Sequence, residues 1–198
     1  MSEFSWYEKV SAADPPLQGD LIDSCPVLTF GDSPRLDDSV EQVQLVEILQ
    51  QAAGVQMVRA IVMTQACDIV QGHVRSVILC PIYHLDDWKS LWEEAEARRG
   101  NRVTSASWGK YTRQLKQGMI WNLALLNKRT SLAPADVSIP CQVVDFHEVF
   151  SLPLQFLSHW VRVSGGDRLR LLPPYREHLS QAFARFFMRV GLPVEIEL

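Results

Sequence analysis

A thiol, a carboxylate and an imidazole stand close together between two apolar segments. Cys67 and Asp68 follow the run Val55–Gln65, and His73 precedes the run Val74–Ile82. An imidazole can take the proton of a thiol and a carboxylate can orient the imidazole, which is what nucleophilic catalysis by cysteine requires. The spacing therefore predicts a thiol site at Cys67, Asp68 and His73. The alternative, in which the thiol caps the core and Asp68 makes a turn, is favoured because no oxyanion motif is found.

Other side chains have spacings that metal ligands use. Asp145 and His147 would project to one face of a strand, and His84 stands near Asp86 and Asp87. Two ligands do not define a site, and paired aspartates at a helix start have the alternative role of capping the helix. No Cys-x-x-Cys pair occurs. The sequence predicts no metal site and no cofactor, and it predicts buried thiols at three apolar positions, Cys25, Cys80 and Cys141.

The charge of the chain is distributed unevenly. Residues 1–97 carry 5 Lys/Arg against 16 Asp/Glu, a net of −11, and residues 98–198 carry 14 against 7, a net of +7. Such an asymmetry allows the halves to neutralise each other, or it exposes a basic face to an acidic partner. Fourteen of the 19 basic residues are Arg, which favours bidentate contact with carboxylate or phosphate. The predicted nucleic-acid-binding residues are Lys110, Arg113, Lys116, Lys128, Arg129, Arg185 and Arg189.

Hydrophobic periodicity supplies the elements that position these residues. The β-branched runs Val55–Gln65 and Val74–Ile82, joined through Gln71-Gly72-His73, predict a hairpin. Equal counting from the turn places Cys80 opposite Arg59. The segment around residues 40–50 fits helical and strand templates in part.

Three segments have a helical pattern. Apolar residues recur on one face after Asp86 up to Gly100, and again from Thr104 or Ser105 to Gly118. The last helix carries a phenylalanine stripe that is expected to pack through Phe183, Phe186 and Phe187. It is predicted to follow Pro173-Pro174 and to stop at Gly191.

Three short motifs, taken in chain order, resemble part of a known β-barrel. They are Gly19-Asp20-Leu21-Ile22, then Arg59–Gln65, then Ile78–Ile82 with its Cys-Pro-Ile ending. Together they are similar to the front half of PemK/MazF-type toxins. The resemblance implies a small β-barrel, RNA cleavage and an association with toxin or defence systems. It also implies that Arg35 in an early loop acts with the residues after the Cys-Pro strand, here Tyr83-His84 in place of the family's Ser or Thr.

No segment is long and apolar enough for a membrane span, and the N-terminus lacks the pattern of a signal peptide, which predicts a cytoplasmic protein. No glycine-rich phosphate loop, G-x-S-x-G or H-E-x-x-H motif occurs.

We therefore predict a single α+β domain over residues 1–198. It has an antiparallel barrel or twisted sheet, a loose arm over residues 1–18, a two-helix insertion over 86–118 and a C-terminal amphipathic helix over 173–191. The predicted function is non-catalytic binding of nucleic acid or a protein partner through the basic second half. The alternative is an enzyme, either a diverged RNA-cleaving barrel using Arg35, Tyr83 and His84, or a thiol-dependent activity at Cys67.

Overall fold

The computed structural model describes residues 5–30, 41–130 and 137–188 of the chain. Its strands, in chain order, are β1 (Tyr7–Val10), β2 (Leu21–Phe30), β3 (Ala53–Val62), β4 (Ser76–His84), β5 (Leu123–Leu126), β6 (Gln142–Asp145), β7 (Phe150–Pro153) and β8 (Arg168–Leu171). Its helices are α1 (Gln42–Ala52), α2 (Ala66–Val70), α3 (Leu85–Arg98), α4 (Ser105–Lys116), α5 (Leu154–Ser164) and α6 (Tyr175–Phe187). Arg35 and Arg189 lie outside the described residues.

Six strands form an open antiparallel sheet in the order β2-β3-β4-β6-β5, and β7 also pairs with β4. The α+β class and the twisted-sheet prediction hold at this level. The barrel prediction is wrong for the described residues, because β2 and β5 end the sheet and do not pair with each other. A separate two-stranded sheet pairs β1, from the N-terminal part of the chain, with β8, from the C-terminal part.

The predicted hairpin is present as β3 and β4, but its register differs from equal counting. Cys80 lies opposite Ile61 and not opposite Arg59. The connection causes the shift, because α2 forms directly after the turn that follows Val62, and β4 begins only at Ser76. Counting β-branched residues does not reveal that the hairpin loop contains a helical turn.

Each face of the sheet has its own helices. On one side, called the α6 face, Ile61, Cys80 and Val144 pack with β1, β8 and α6. On the other, called the α5 face, α2 and α5 cover one end, and α3 and α4 cover the other around Leu123 and Val143. The alternation of side chains along a strand accounts for this division, since successive residues point to opposite faces.

The two-helix insertion and the C-terminal helix form where the periodicity predicts them. Thr104 begins α4 by accepting a hydrogen bond from the backbone N–H of Ser107 at 3.1 Å. In α6, Phe183 and Phe186 pack against the core, but Phe187 is exposed at the last turn, so its predicted burial is wrong. No element is predicted from the sequence at α5, which begins directly after Pro153 at its N-cap.

One buried carboxylate joins the N-terminal segment to β8. The Asp20 side chain is 0% exposed and that of Arg168 is 6% exposed. Arg168 Nε donates to Asp20 Oδ2 at 2.6 Å, and Arg170 donates to both carboxylate oxygens. The terminal nitrogens of Arg168 donate at 2.8–2.9 Å to three backbone carbonyls, those of Ser11, Asp14 and Pro15.

These contacts correct the prediction of a loose arm over residues 1–18. Tyr7–Val10 form β1, and Pro16 and Gln18 are buried. At Gly19 the backbone adopts φ +85°, and an added Cβ would lie 3.1 Å from the Cβ of Leu171. A segment rich in Pro and Asp resembles a loop locally, and only the distant arginines order it.

We expect Asp20→Asn to lower the free energy of unfolding by about 3–5 kcal/mol, because the change leaves the buried Arg168 guanidinium without a counter-charge and leaves Arg170 with only the half-exposed Glu8 at 3.9 Å. Urea denaturation measures the loss. Arg98→Gln serves as the control, since Arg98 forms an exposed pair with Glu94 on α3 and its loss should cost less than about 1 kcal/mol. Equal losses in the two variants would contradict the structural role of Asp20.

Candidate functional site

The loop after β3 is held in place by side-chain hydrogen bonds to other elements. Gln18 Nε2 donates to Ser180 Oγ of α6 at 2.7 Å, and Gln18 Oε1 accepts from the backbone N–H of Ala66 at 3.4 Å. On the other side of the turn, Thr64 Oγ1 accepts from the backbone N–H of Ile78 at 2.7 Å. The start of α2 is therefore tied to β4 and to α6.

This loop brings together three of the predicted catalytic residues, with Asp68 in the middle. Cys67 Sγ lies 3.9 Å from Asp68 Oδ1, and His73 Nδ1 lies 3.9 Å from the same oxygen. The thiol is exposed and adjoins a carboxylate, with Gln65 Oε1 at 3.6 Å. Within the described part of the chain, no imidazole lies within hydrogen-bond distance of Cys67 Sγ. A neighbouring carboxylate does not stabilise a thiolate, so the geometry does not supply the activation that a nucleophilic cysteine needs.

His84, the fourth predicted catalytic residue, lies elsewhere. It ends β4 and precedes α3, so the length of β4, roughly 25 Å, separates it from the loop at Ser76. Tyr83 beside it donates from its hydroxyl to Glu148 Oε2 at 3.0 Å. Burial, followed by the Glu148 charge, raises the pKa of Tyr83 above its ordinary value. The phenol is thus a hydrogen-bond donor at neutral pH.

Three of the predicted nucleic-acid-binding residues lie together on α4. Lys110, Arg113 and Lys116 are exposed, and within residues 5–30, 41–130 and 137–188 none has a carboxylate oxygen within 4 Å. We call this set the α4 cation stripe. On the face of α4 opposite to the stripe, Trp108 and Tyr111 pack with Trp92 of α3, with ring centroids 5.2–5.5 Å apart.

The basic residues of neighbouring α3 differ in this respect. Each of them pairs with a glutamate on the same helix: Lys89 with Glu93 at 3.7 Å, Arg98 with Glu94 at 3.3 Å, and Arg99 with Glu96 at 2.9 Å. Intrahelical pairing neutralises the basic residues of α3, and the helix has an excess of acidic residues, so the positive charge of the two-helix insertion is concentrated on α4.

Of the other predicted nucleic-acid-binding residues, Lys128, Arg129 and Arg185 lie on parts of the fold other than α4. Lys128 and Arg129 follow β5, and the Arg129 guanidinium donates to the Val137 carbonyl. Arg185 lies on α6, which covers the face of the sheet opposite to α4. Ion pairing also reduces the positive charge that the Arg-rich C-terminal part presents to a ligand. Arg168 and Arg170 bind Asp20, and Arg176 binds Glu177 at 2.7 Å.

A polar cluster that the sequence did not predict as a unit lies where β6 gives way to β7. Asp145 Oδ1 accepts from the His147 backbone N–H at 2.9 Å and lies 3.5 Å from His147 Nδ1. Asn122 Nδ2 lies 3.1 Å from the same ring nitrogen, and the ring touches Trp121 and Phe186 edge-on. The signal in the sequence was the i, i+2 spacing of Asp145 and His147. Among the described residues, no group of three or more His, Cys, Asp or Glu is arranged to hold a metal ion.

Three comparisons with known proteins, covering family models, curated proteins and solved structures, found no match to this chain. The resemblance to PemK/MazF-type toxins therefore stays a prediction from short motifs. Among the residues that the structure describes, no helix combines the length and apolar content needed to cross a membrane.

The cysteines should differ sharply in reactivity. Burial raises the pKa of Cys25 and of Cys80 to about 12, and the Asp145 charge adds to the effect at Cys80. We expect iodoacetamide at about pH 8 to modify the exposed Cys67 in the folded protein, and Cys25 and Cys80 only after unfolding, because the thiolate is the reactive form. Peptide mass spectrometry over time measures this, with Cys67→Ser as the control. Rapid labelling of Cys25 in the folded protein would contradict it.

Asp145 should make stability depend on pH in a defined direction. Burial raises the pKa of Asp145 above 3.8, although hydrogen bonds from His147 and Asn122 and the His147 charge oppose the shift. A raised folded-state pKa favours the protonated form, so this contribution is present at low pH and is lost as the pH rises through the folded-state value.

We therefore expect Asp145→Asn to gain stability relative to the parent chain as the pH rises from about 4 to about 7. Urea denaturation at several pH values measures the difference. Asp23→Asn, at an exposed position, should show a difference that changes little with pH. A gain that shrinks with rising pH would show that the hydrogen bonds outweigh the desolvation.

Proposed function

We propose that this chain binds nucleic acid through the α4 cation stripe without catalysing a reaction. The observation that carries the proposal is the contrast between two adjacent helices. Each basic residue of α3 is paired with a glutamate, whereas no carboxylate of the described residues lies within 4 Å of Lys110, Arg113 or Lys116. Unpaired cations attract phosphate and release its counterions on binding.

The cations of the stripe follow the axis of α4. Lys110 and Lys116 are separated by roughly 9 Å along the helix axis, with Arg113 between them. Cations arranged along an axis can contact a phosphate backbone whatever its base sequence.

The absence of an assembled reactive group in the candidate sites favours binding over catalysis. Cys67 adjoins Asp68 and not an imidazole, and His84 stands far from that loop. In the RNA-cleaving alternative Tyr83 would act in the reaction, but its hydroxyl is engaged with Glu148. A protein partner with an acidic surface is the alternative ligand of the α4 cation stripe. The binding experiment distinguishes such a protein from nucleic acid.

We expect the chain to bind a labelled single-stranded oligonucleotide of mixed sequence with an affinity that falls steeply between about 50 and 200 mM salt. Fluorescence anisotropy measures the affinity. The triple variant Lys110→Gln, Arg113→Gln, Lys116→Gln should bind at least about tenfold more weakly at the lower salt concentration and should lower the salt slope by about 2.

The matched control is Lys89→Gln, Arg98→Gln, Arg99→Gln, which removes the same charge from α3. Its affinity should stay within about threefold of the parent chain, because those cations are already neutralised. Equal losses in both triple variants would mean that net charge alone drives binding. Absence of binding at about 50 mM salt would remove nucleic acid as the ligand and leave an acidic protein as the occupant to test.

A further inference from the structure

The β2–β3 hairpin extends beyond the core and carries large apolar side chains in water. Leu28 is 67% exposed, Phe30 56%, Val55 65% and Met57 50%. In the same strands Leu21, Ile61 and Val62 are fully or almost fully buried. Each of the two strands is therefore buried in one part and exposed in another, and the exposed part lies beyond the elements that cover the sheet.

The four side chains lie on one face of the hairpin, because the strand register places them there. Leu28 pairs with Val55, and Pro26 pairs with Met57, while Phe30 lies two residues beyond Leu28. Opposite residues share a face in an antiparallel pair, and alternate residues of a strand share it too. We call Leu28, Phe30, Val55 and Met57 the arm face. It continues the α6 face past Arg59, which lies 3.9 Å from Asp23 at the border.

The helix that enters β3 also carries exposed apolar side chains. Helix α1 ends at Ala52, and β3 begins at the next residue. Leu45, Val46 and Leu49 of this helix are exposed, and none of its described side chains belongs to the three core clusters. Scattered apolar residues on a surface are ordinary, but a contiguous patch marks an interaction site.

The size of the arm face matches what a stable interface requires. Its four side chains leave on the order of 450 Å² of apolar surface in water, taking roughly 200 Å² for each when fully exposed. A standard interface contributes roughly 800 Å² from each partner, of which a little over half is nonpolar. The arm face alone thus supplies the apolar part of one such interface.

The composition of the arm identifies the partner. Residues 24–30 and 53–58 include no Asp, Glu, Lys or Arg, although charged residues are frequent elsewhere in the chain. A different protein is selected chiefly through complementary charges. A two-fold interface between identical chains brings each patch against itself, so an uncharged apolar patch is self-complementary, whereas a charged one repels its copy.

We propose that the arm faces of two copies of this chain pack against each other to form a homodimer with two-fold symmetry. This interface is separate from the α4 cation stripe, so the dimer does not depend on the proposed nucleic-acid binding. It also covers an uncharged strand pair that would otherwise invite aggregation.

The test is sedimentation velocity of the full chain from about 1 to about 100 µM, with the sedimentation coefficient following a monomer–dimer equilibrium. Val55→Glu should raise the dissociation constant at least about a hundredfold, because each dimer carries the change twice and buries a charge against its copy. Val163→Glu on α5 is the matched control, since Val163 is 70% exposed and lies outside the arm face, and it should dimerise like the parent chain.

Circular dichroism and thermal unfolding confirm that the variants are folded. If Val55→Glu does not fold, the pair Val55→Thr and Val163→Thr keeps the branched shape, and only the first should weaken the dimer. A parent chain that stays monomeric at about 100 µM would overturn the proposal. So would a dimer that Val55→Glu and Val55→Thr leave unchanged, or association that continues beyond two copies.

Discussion

The Asp20 carboxylate between Arg168 and Arg170 determines how the ends of the chain meet. Residues 11–20 contribute backbone carbonyls to the Arg168 guanidinium, and β8 contributes both arginines. A buried charge is tolerated only where its hydrogen-bonding groups are satisfied, so this network specifies one path for the N-terminal segment. Gly19 lies in that path and accepts from the Leu171 backbone N–H at 3.0 Å, while its own N–H donates to the Val62 carbonyl at 2.9 Å.

The same network orders the loop after β3. Gln18 precedes Gly19 and reaches both the start of α2 and Ser180 of α6. The position of Cys67 and Asp68 therefore depends on residues distant in sequence. The Asp20 network also reduces the positive charge available for binding, because it neutralises two arginines of the basic second half inside the molecule.

What remains is a chain with two chemically different exposed surfaces. The α4 cation stripe projects from the helices that cover the α5 face at one end of the sheet, and it carries positive charge. The arm face continues the α6 face along β2 and β3 and carries no charge. Phosphate recognition requires unpaired cations, and self-association requires apolar area, so the two surfaces suit different partners.

The sequence by itself determined the elements whose cause is local. The hairpin of β3 and β4, the helices α3 and α4 and the terminal helix α6 follow from side-chain periodicity and from capping residues such as Thr104. It also indicated that Cys67, Asp68 and His73 share one loop, because they are close in the chain.

Only the tertiary structure decided the properties that depend on distant contacts. The sheet stays open because β2 and β5 do not meet, and Asp68, not His73, adjoins the thiol. The tertiary structure also placed Arg185 on the opposite side of the sheet from the basic residues of α4. Periodicity records which residues are buried, whereas ion pairing, register and the convergence of side chains depend on distances that no local pattern contains.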